Sequence, residues 1–149
     1  MWLKDVCTLD VVCCRAETRA VDAARLMRHR HVGDLVVVDD PDETRIPLGI
    51  VTDRDLAVEV LGNDLDPAET TVGSLMRHPV VIANESEDTS QLLERMRAHG
   101  VRRVPVVDDR GGVVGIVTLD DVLKHLVDEA GALLEIMNRG RKREQLARR

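Results

Sequence analysis

Apolar residues in this chain fall into blocks of two textures. Near-continuous, valine-rich runs stand at residues 35–38, 48–51, 104–107 and 113–117. Bounded by polar residues, such runs predict strands covered on both faces. Shorter extended stretches precede them at 11–13 and 80–82. Between these lie segments whose apolar residues are spaced as on one side of a helix. Val21, Ala24 and Met27 follow Thr18, a candidate cap. Leu56, Val58 and Leu61 follow Thr52 or Asp53 and stop at Gly62-Asn63. Leu92, Leu93 and Met96 stop near Gly100, and Val122, Leu123, Leu126 and Val127 follow Asp120 or Asp121. Asp109-Arg110-Gly111-Gly112 reads as a hairpin turn. The predicted order is strand, helix, strand, strand, helix, and it occurs twice.

The two passes are copies. Met27 matches Met96, Val32 matches Val101 and Asp39-Asp40 matches Asp108-Asp109, all at an offset of 69. Gly49, Thr52 and Asp55 match Gly115, Thr118 and Asp121 at an offset of 66. The difference is taken up in one loop, 41–47 against 110–113, where insertions are tolerated. One unit of about 50 residues buries too little surface to be stable alone. Two units sharing one core are expected, with dimerisation beyond that. The division read from the sequence is a first repeat at 5–63, a linker at 64–75, a second repeat at 76–129 and a C-terminal helix with a basic tail at 130–149. Leu75-Met76 is expected to form a short packed turn. Leu133, Leu134, Ile136 and Met137 form a stripe without an evident partner, on a helix that Gly131 weakens by roughly 1 kcal/mol relative to Ala.

Composition narrows the function. The chain has 149 residues, 44% hydrophobic and 32% charged, with one Trp and no Tyr or Phe. Any bound base must therefore lie between aliphatic side chains, and single-stranded nucleic acid lacks a stacking platform. The net charge is -6, yet residues 139–149 carry +5 (six Arg or Lys against Glu144), leaving -11 for the rest. That acidic body does not suit wrapping of nucleic acid. No apolar run reaches the roughly 20 residues of a membrane span, and no leader pattern opens the chain, so a cytoplasmic location is expected. Three cysteines, Cys7, Cys13 and Cys14, make no disulfide framework.

The duplicated motif carries the chemistry. Gly-apolar-apolar-Thr-x-x-Asp at a strand-to-helix junction puts a hydroxyl and a carboxylate on one turn, beside the unpaired N–H groups of a helix start. The hydroxyl suits a phosphate and the carboxylate suits ribose hydroxyls. The same atoms also suit plain helix capping, and the two roles can coexist. Arg102-Arg103 and Arg54 are candidate phosphate contacts; Arg102-Arg103 could equally be a solvated face.

The repeated Val38-Asp39-Asp40…Gly49-Ile50-Val51-Thr52-Asp53-Arg54-Asp55 and Pro105-Val106-Val107-Asp108…Gly115-Ile116-Val117-Thr118-Leu119-Asp120-Asp121 resemble the tandem cystathionine-β-synthase (CBS) domain pair, or Bateman module. The resemblance covers about residues 5–128. It implies an α/β fold of two pseudo-symmetric βαββα repeats packed into one module, with a C-terminal helical extension. It also implies a regulatory role, with AMP, ADP or ATP bound between the repeats and no catalytic residue. S-adenosylmethionine or an NAD-like ligand is the alternative chemistry. The resemblance implies that the base touches Val80 and residues 101–104 (Val101, Arg102, Arg103, Val104) in the second repeat, and Val12 and residues 32–35 (Val32 to Leu35) in the first. Thr118 and Asp121, with Arg102, Arg103 and Arg54, are expected to form the tighter site. Thr52 and Asp55 are expected to form the weaker one, because Asp34 repels phosphate there. Two or three charge-assisted bonds with apolar burial correspond to about -8 kcal/mol, micromolar binding. A homodimer or an effector protein is expected to receive the signal.

Two other readings are weaker. A nucleic-acid-associated regulator would use the basic tail. An enzyme or metal protein would use Cys7, Cys13, Cys14, His29 and His31, but no third ligand stands at zinc spacing and no base–orienter set accompanies the thiols.

Overall fold

The computed structural model describes residues 1–148. The first repeat contains β1 (Cys13–Cys14), α1 (Ala20–Arg30), β2 (Asp34–Val38) and β3 (Pro47–Thr52). Its second helix opens as α2 (Asp53–Asp55) and continues with π-type geometry over Leu56–Leu61. The short α3 (Val72–Leu75) follows. The second repeat contains β4 (Ala83–Asn84), α4 (Thr89–His99), β5 (Arg103–Val107), β6 (Val113–Thr118) and α5 (Leu119–Ala147).

Each repeat builds one three-stranded sheet, β1-β2-β3 or β4-β5-β6. The outer pair is parallel and the hairpin pair antiparallel in both. Registers match position for position: Asp34 lies opposite Thr52, and Arg103 opposite Thr118. Both hairpins carry a register shift at the same place, between Val37 and Val38 and between Val106 and Val107. Leu35, Val36 and Val37 are wholly buried, as the unbroken apolar run requires.

The sequence expectation is corrected in several particulars. Thr18 does not cap α1; its hydroxyl accepts from the Arg15 N–H, and Arg19 precedes the helix without a side-chain cap. The buried face of α1 carries Ala20, Ala23 and Met27, one step from the face expected through Ala24. On the helix after β3, Val60 is buried while Val58 and Leu61 are exposed. On α5 only Val122 is buried; Leu123, Leu126 and Val127 face outward. The helix runs on through Gly131 and Gly140 to Ala147.

The opening segments are exchanged between the repeats. Leu3, in a 3-10 turn at Leu3–Asp5, is wholly buried among second-repeat residues including Leu92, Met96, Val104 and Val122. Val72 of α3 is wholly buried among first-repeat residues including Ala23, Met27, Leu35 and Val51. Backbone bonds secure both: Leu3 N–H to Glu87 O at 3.0 Å, Val72 N–H to Thr18 O at 2.8 Å. A third cluster, Val36, Val38, Val107, Val113 and Ile116, joins the two sheets. Neither repeat therefore has a complete core from its own contiguous residues.

This exchange explains the glycine in the repeated motif. A Cβ on Gly49 would lie 2.8 Å from Met76 Sδ and 2.9 Å from the Arg77 carbonyl. A Cβ on Gly115 would lie 2.8 Å from Cys7 Sγ. In each repeat the crossing segment needs the space a side chain would fill.

Candidate functional site

Both Thr-x-x-Asp corners form capping boxes. Thr52 Oγ1 accepts from the Asp55 N–H at 3.1 Å, and Asp55 Oδ2 accepts from the Thr52 N–H at 2.9 Å. Thr118 and Asp121 repeat this at 3.1 and 2.9 Å, and the Thr118 hydroxyl also donates to Asp121 Oδ2 at 2.7 Å. The capping role is thus fulfilled at both corners, and each hydroxyl is already engaged. Asp55 is buried, with Oδ1 3.6 Å from Arg77 Nε.

A cleft of about 410 Å³ opens between the repeats, within the size range of small-molecule sites. The first repeat supplies Ile50, Thr52, Asp53, Arg54 and Asp55; the segment between α3 and β4 supplies Arg77 and Pro79. The second repeat supplies Val80, Val81, Gly100, Val101, Arg102 and Arg103. The backbone bridge between Ile50 and Arg77 ties the segment after α3 to β3 here. The lining carries four arginines, two aspartates and the aliphatic Val80, Val81 and Val101; Arg77, Arg102 and Arg103 already pair with Asp55, Asp120 and Asp34. The lining itself is net cationic around an apolar slot.

The grouping differs from the one expected. Arg102, Arg103, Val101, Val80 and Arg54 share the cleft with Thr52 and Asp55; Thr118 and Asp121 are not among its lining residues. The reason is the exchange of opening segments, which sets the segment after α3 and Val80 against the first repeat's corner. Leu35 and Val104 are wholly buried, so neither offers a ligand any surface, and Val12 is almost so. Their strands are covered on both faces. Val32 packs on the first repeat's core. Ile50, Asp53, Arg77, Pro79, Val81 and Gly100 also line the cleft, beyond the site residues expected from the sequence. Arg77 was legible only as the counterpart of Thr8, at the offset of 69.

At the pseudo-equivalent corner, Thr8 bridges to Ile116 as Arg77 bridges to Ile50. There the four arginines are replaced: Thr8 stands for Arg77, Gly33 for Arg102, Asp34 for Arg103 and Asp120 for Arg54. Cationic charge therefore gathers at the Thr52–Asp55 corner and acidic charge at the other. Asp34 connects them through Arg103, Nε to Oδ2 at 2.9 Å. Burial pushes the Asp34 carboxyl above its usual range; Arg103 offsets this, while Asp53 and Asp121 add to it. Arg102 reaches Asp120 at 3.5 Å on the surface.

The cysteines lie elsewhere. Burial pushes the Cys14 thiol up to about 12, and burial raises Cys7 as well. Neither is a poised nucleophile. Among the described residues no group of three or more His, Cys, Asp or Glu could hold a metal ion, and His29 and His31 are exposed at the end of α1. No helix among them is long and apolar enough to cross a membrane.

Two α/β repeats with exchanged opening segments and one charged cleft between them define a tandem-repeat module. Residues 3–62 and 72–128 match the CBS domain model, and the chain belongs to that family as a CBS pair with a C-terminal helix. It is 35% identical over 120 residues to protein MK0525 of Methanopyrus kandleri, covering 80% of this chain and 60% of that protein. The crystal structure of Hypoxic Response Protein I with two coordinated zinc ions superposes with a TM-score of 0.72 at 31% identity, covering 84% of this chain and 98% of that one. The CBS pair of MJ0100, in complex with 5-methylthioadenosine and S-adenosyl-L-methionine, superposes with a TM-score of 0.74 at 26% identity, covering 87% and 98%.

Proposed function

We propose that this chain is a non-catalytic regulatory module that binds an adenine nucleotide, AMP, ADP or ATP, in the cleft between its repeats. The observation that carries the reading is the charge of the cleft: Arg54, Arg77, Arg102 and Arg103 around an aliphatic slot, with Asp55 at its edge. The base would lie against Val80, Val81 and Val101, the ribose hydroxyls would meet Asp55, and the phosphates would meet the arginines. Because the arginines come from both repeats, a bound nucleotide draws the repeats together. Such closure transmits a signal only through a difference in affinity between open and closed forms, typically about 1–3 kcal/mol. A second copy or an effector protein would receive it.

The MJ0100 pair supports an adenosine-type ligand, but its S-adenosylmethionine carries a sulfonium and its methylthioadenosine carries no phosphate. Four arginines favour a phosphorylated ligand over either. Calorimetric titration of the purified chain with AMP, ADP, ATP, methylthioadenosine, S-adenosylmethionine and NAD tests this. Expected are near-micromolar binding of at least one adenine nucleotide and affinity that rises with phosphate number. Arg77→Ala, at an exposed side chain, is expected to weaken binding by roughly 10-fold or more, the loss of one charge-assisted bond. Tightest binding of the uncharged thioether nucleoside, or no heat with any nucleotide, would sink the reading.

A further inference from the structure

Three of the cleft arginines already hold a carboxylate of this chain: Arg77 holds Asp55, Arg102 holds Asp120 and Arg103 holds Asp34. A phosphate entering the cleft competes with each. The consequence depends on what the displaced carboxylate keeps. Asp120 lies on the surface, its side chain 81% exposed, so water replaces Arg102. Asp55 is buried but still accepts from the Thr52 N–H at 2.9 Å. Asp34 has neither resource. Its side chain is 21% exposed, and among the described residues Arg103 Nε, 2.9 Å from Oδ2, is the donor that reaches it.

The position of the pair adds to this. Asp34 opens β2, opposite Thr52, and Arg103 opens β5, opposite Thr118. The two are counterparts at the offset of 69, so they meet where the repeats meet, between the two corners. The charges that bear on Asp34 are Arg103 from β5, Asp53 from the helix after β3 and Asp121 from α5. Burial holds the carboxyl above its usual range and both aspartates push it further; Arg103 alone holds it down.

We infer that nucleotide binding in the cleft is coupled to the uptake of a proton by Asp34. The phosphates draw the Arg103 guanidinium towards the cleft. The Asp34 carboxylate, left between Asp53 and Asp121 without a cation, takes a proton from solvent and becomes neutral, as a buried unpaired carboxylate does. The bound chain then carries more protons than the free chain. Affinity therefore rises as the pH falls through the range where Asp34 is ionised in the free chain and protonated in the bound one. The limit for one proton is about ten-fold per pH unit. Acidification loads the module, and Asp34 is its sensor. The inference rests on the nucleotide reading of the cleft and adds the regulation of that site.

Calorimetric titration of the full chain with ATP at about pH 6.5, in two buffers of different ionisation enthalpy, reads the proton directly. Uptake on binding is expected to exceed that of Asp34→Asn by roughly 0.3 proton per ATP or more, while Asp34→Asn binds at least as tightly. Protons exchanged by the phosphates of ATP itself are common to both chains and cancel in the comparison. A second measurement needs no ligand. The carbon-13 signal of the Asp34 carboxyl is expected to titrate about one pH unit higher, or more, in Arg103→Gln than in the unsubstituted chain. Equal proton uptake in the unsubstituted chain and Asp34→Asn overturns the inference and leaves the nucleotide reading standing. An Asp34 titration that Arg103→Gln does not move overturns it as well. No binding of ATP in either buffer overturns the nucleotide reading, and this inference with it.

Discussion

The threonine and aspartate of each corner serve the backbone before they serve a ligand. Both carboxylates close capping boxes, so the same sequence signal reports a helix start wherever it occurs. What separates the corners is the charge around them. Arg54 stands where the second copy has Asp120, and that exchange was legible in the sequence. Arg77 was legible only as the counterpart of Thr8, because its place at the cleft arises from the segment after α3 laid across β3. Among the cysteines, Cys14 carries a testable pH dependence. Its thiol has an ordinary value of 9.0 and is raised by burial to about 12. A raised value means that the unfolded chain loses the proton first, so stability is full below about 9 and falls as the pH climbs towards 12. Urea unfolding between pH 8 and about 10.5 is expected to show a loss on the order of 1 kcal/mol per pH unit above 9, smaller in Cys14→Ala. An identical slope in the two proteins would mean the thiol is not held protonated by the fold.

Among the elements, the strands were the most legible, because an unbroken valine-rich run has few other uses. The helix faces were less so. Periodicity located α1 and α5 but misjudged the depth of their buried faces, since helix burial depends on what is packed alongside. The opening segments show the limit most sharply. A three-residue turn at Leu3–Asp5 has no periodicity to read, yet Leu3 completes the second repeat's core. Leu3→Ala is expected to cost roughly 2–5 kcal/mol, as for other fully buried leucines. Urea unfolding measures it directly. A cost under about 1 kcal/mol would show that the first turn is not part of that core.

For the whole molecule, pseudo-symmetry holds in the backbone and fails in the electrostatics. One cleft gathers arginines; its counterpart gathers Asp34, Asp120 and Asp121. The proposed function then predicts one anionic nucleotide per chain, with binding that weakens as salt rises. Asp34 restrains the cationic cleft by holding Arg103 at 2.9 Å. Asp34→Asn is expected to tighten binding of the most highly phosphorylated nucleotide by about three- to ten-fold, read by calorimetry against AMP as the less sensitive control. Unchanged affinity would mean that Arg103 does not reach the phosphates.

Duplication, the hairpin strands, capping corners and the apolar stripe of α5 were settled locally, by residue spacing and backbone chemistry that neighbours in the chain enforce, whereas the opening strands expected at 11–13 and 80–82 form at Cys13–Cys14 and Ala83–Asn84. The membership of the cleft was settled elsewhere. Which corner faces Val80, Val101, Arg102 and Arg103 depends on two short segments crossing from one repeat to the other, and on the glycines that let them pass. Contacts between residues so far apart along the chain leave no local trace, so they became visible only once the two sheets were packed together.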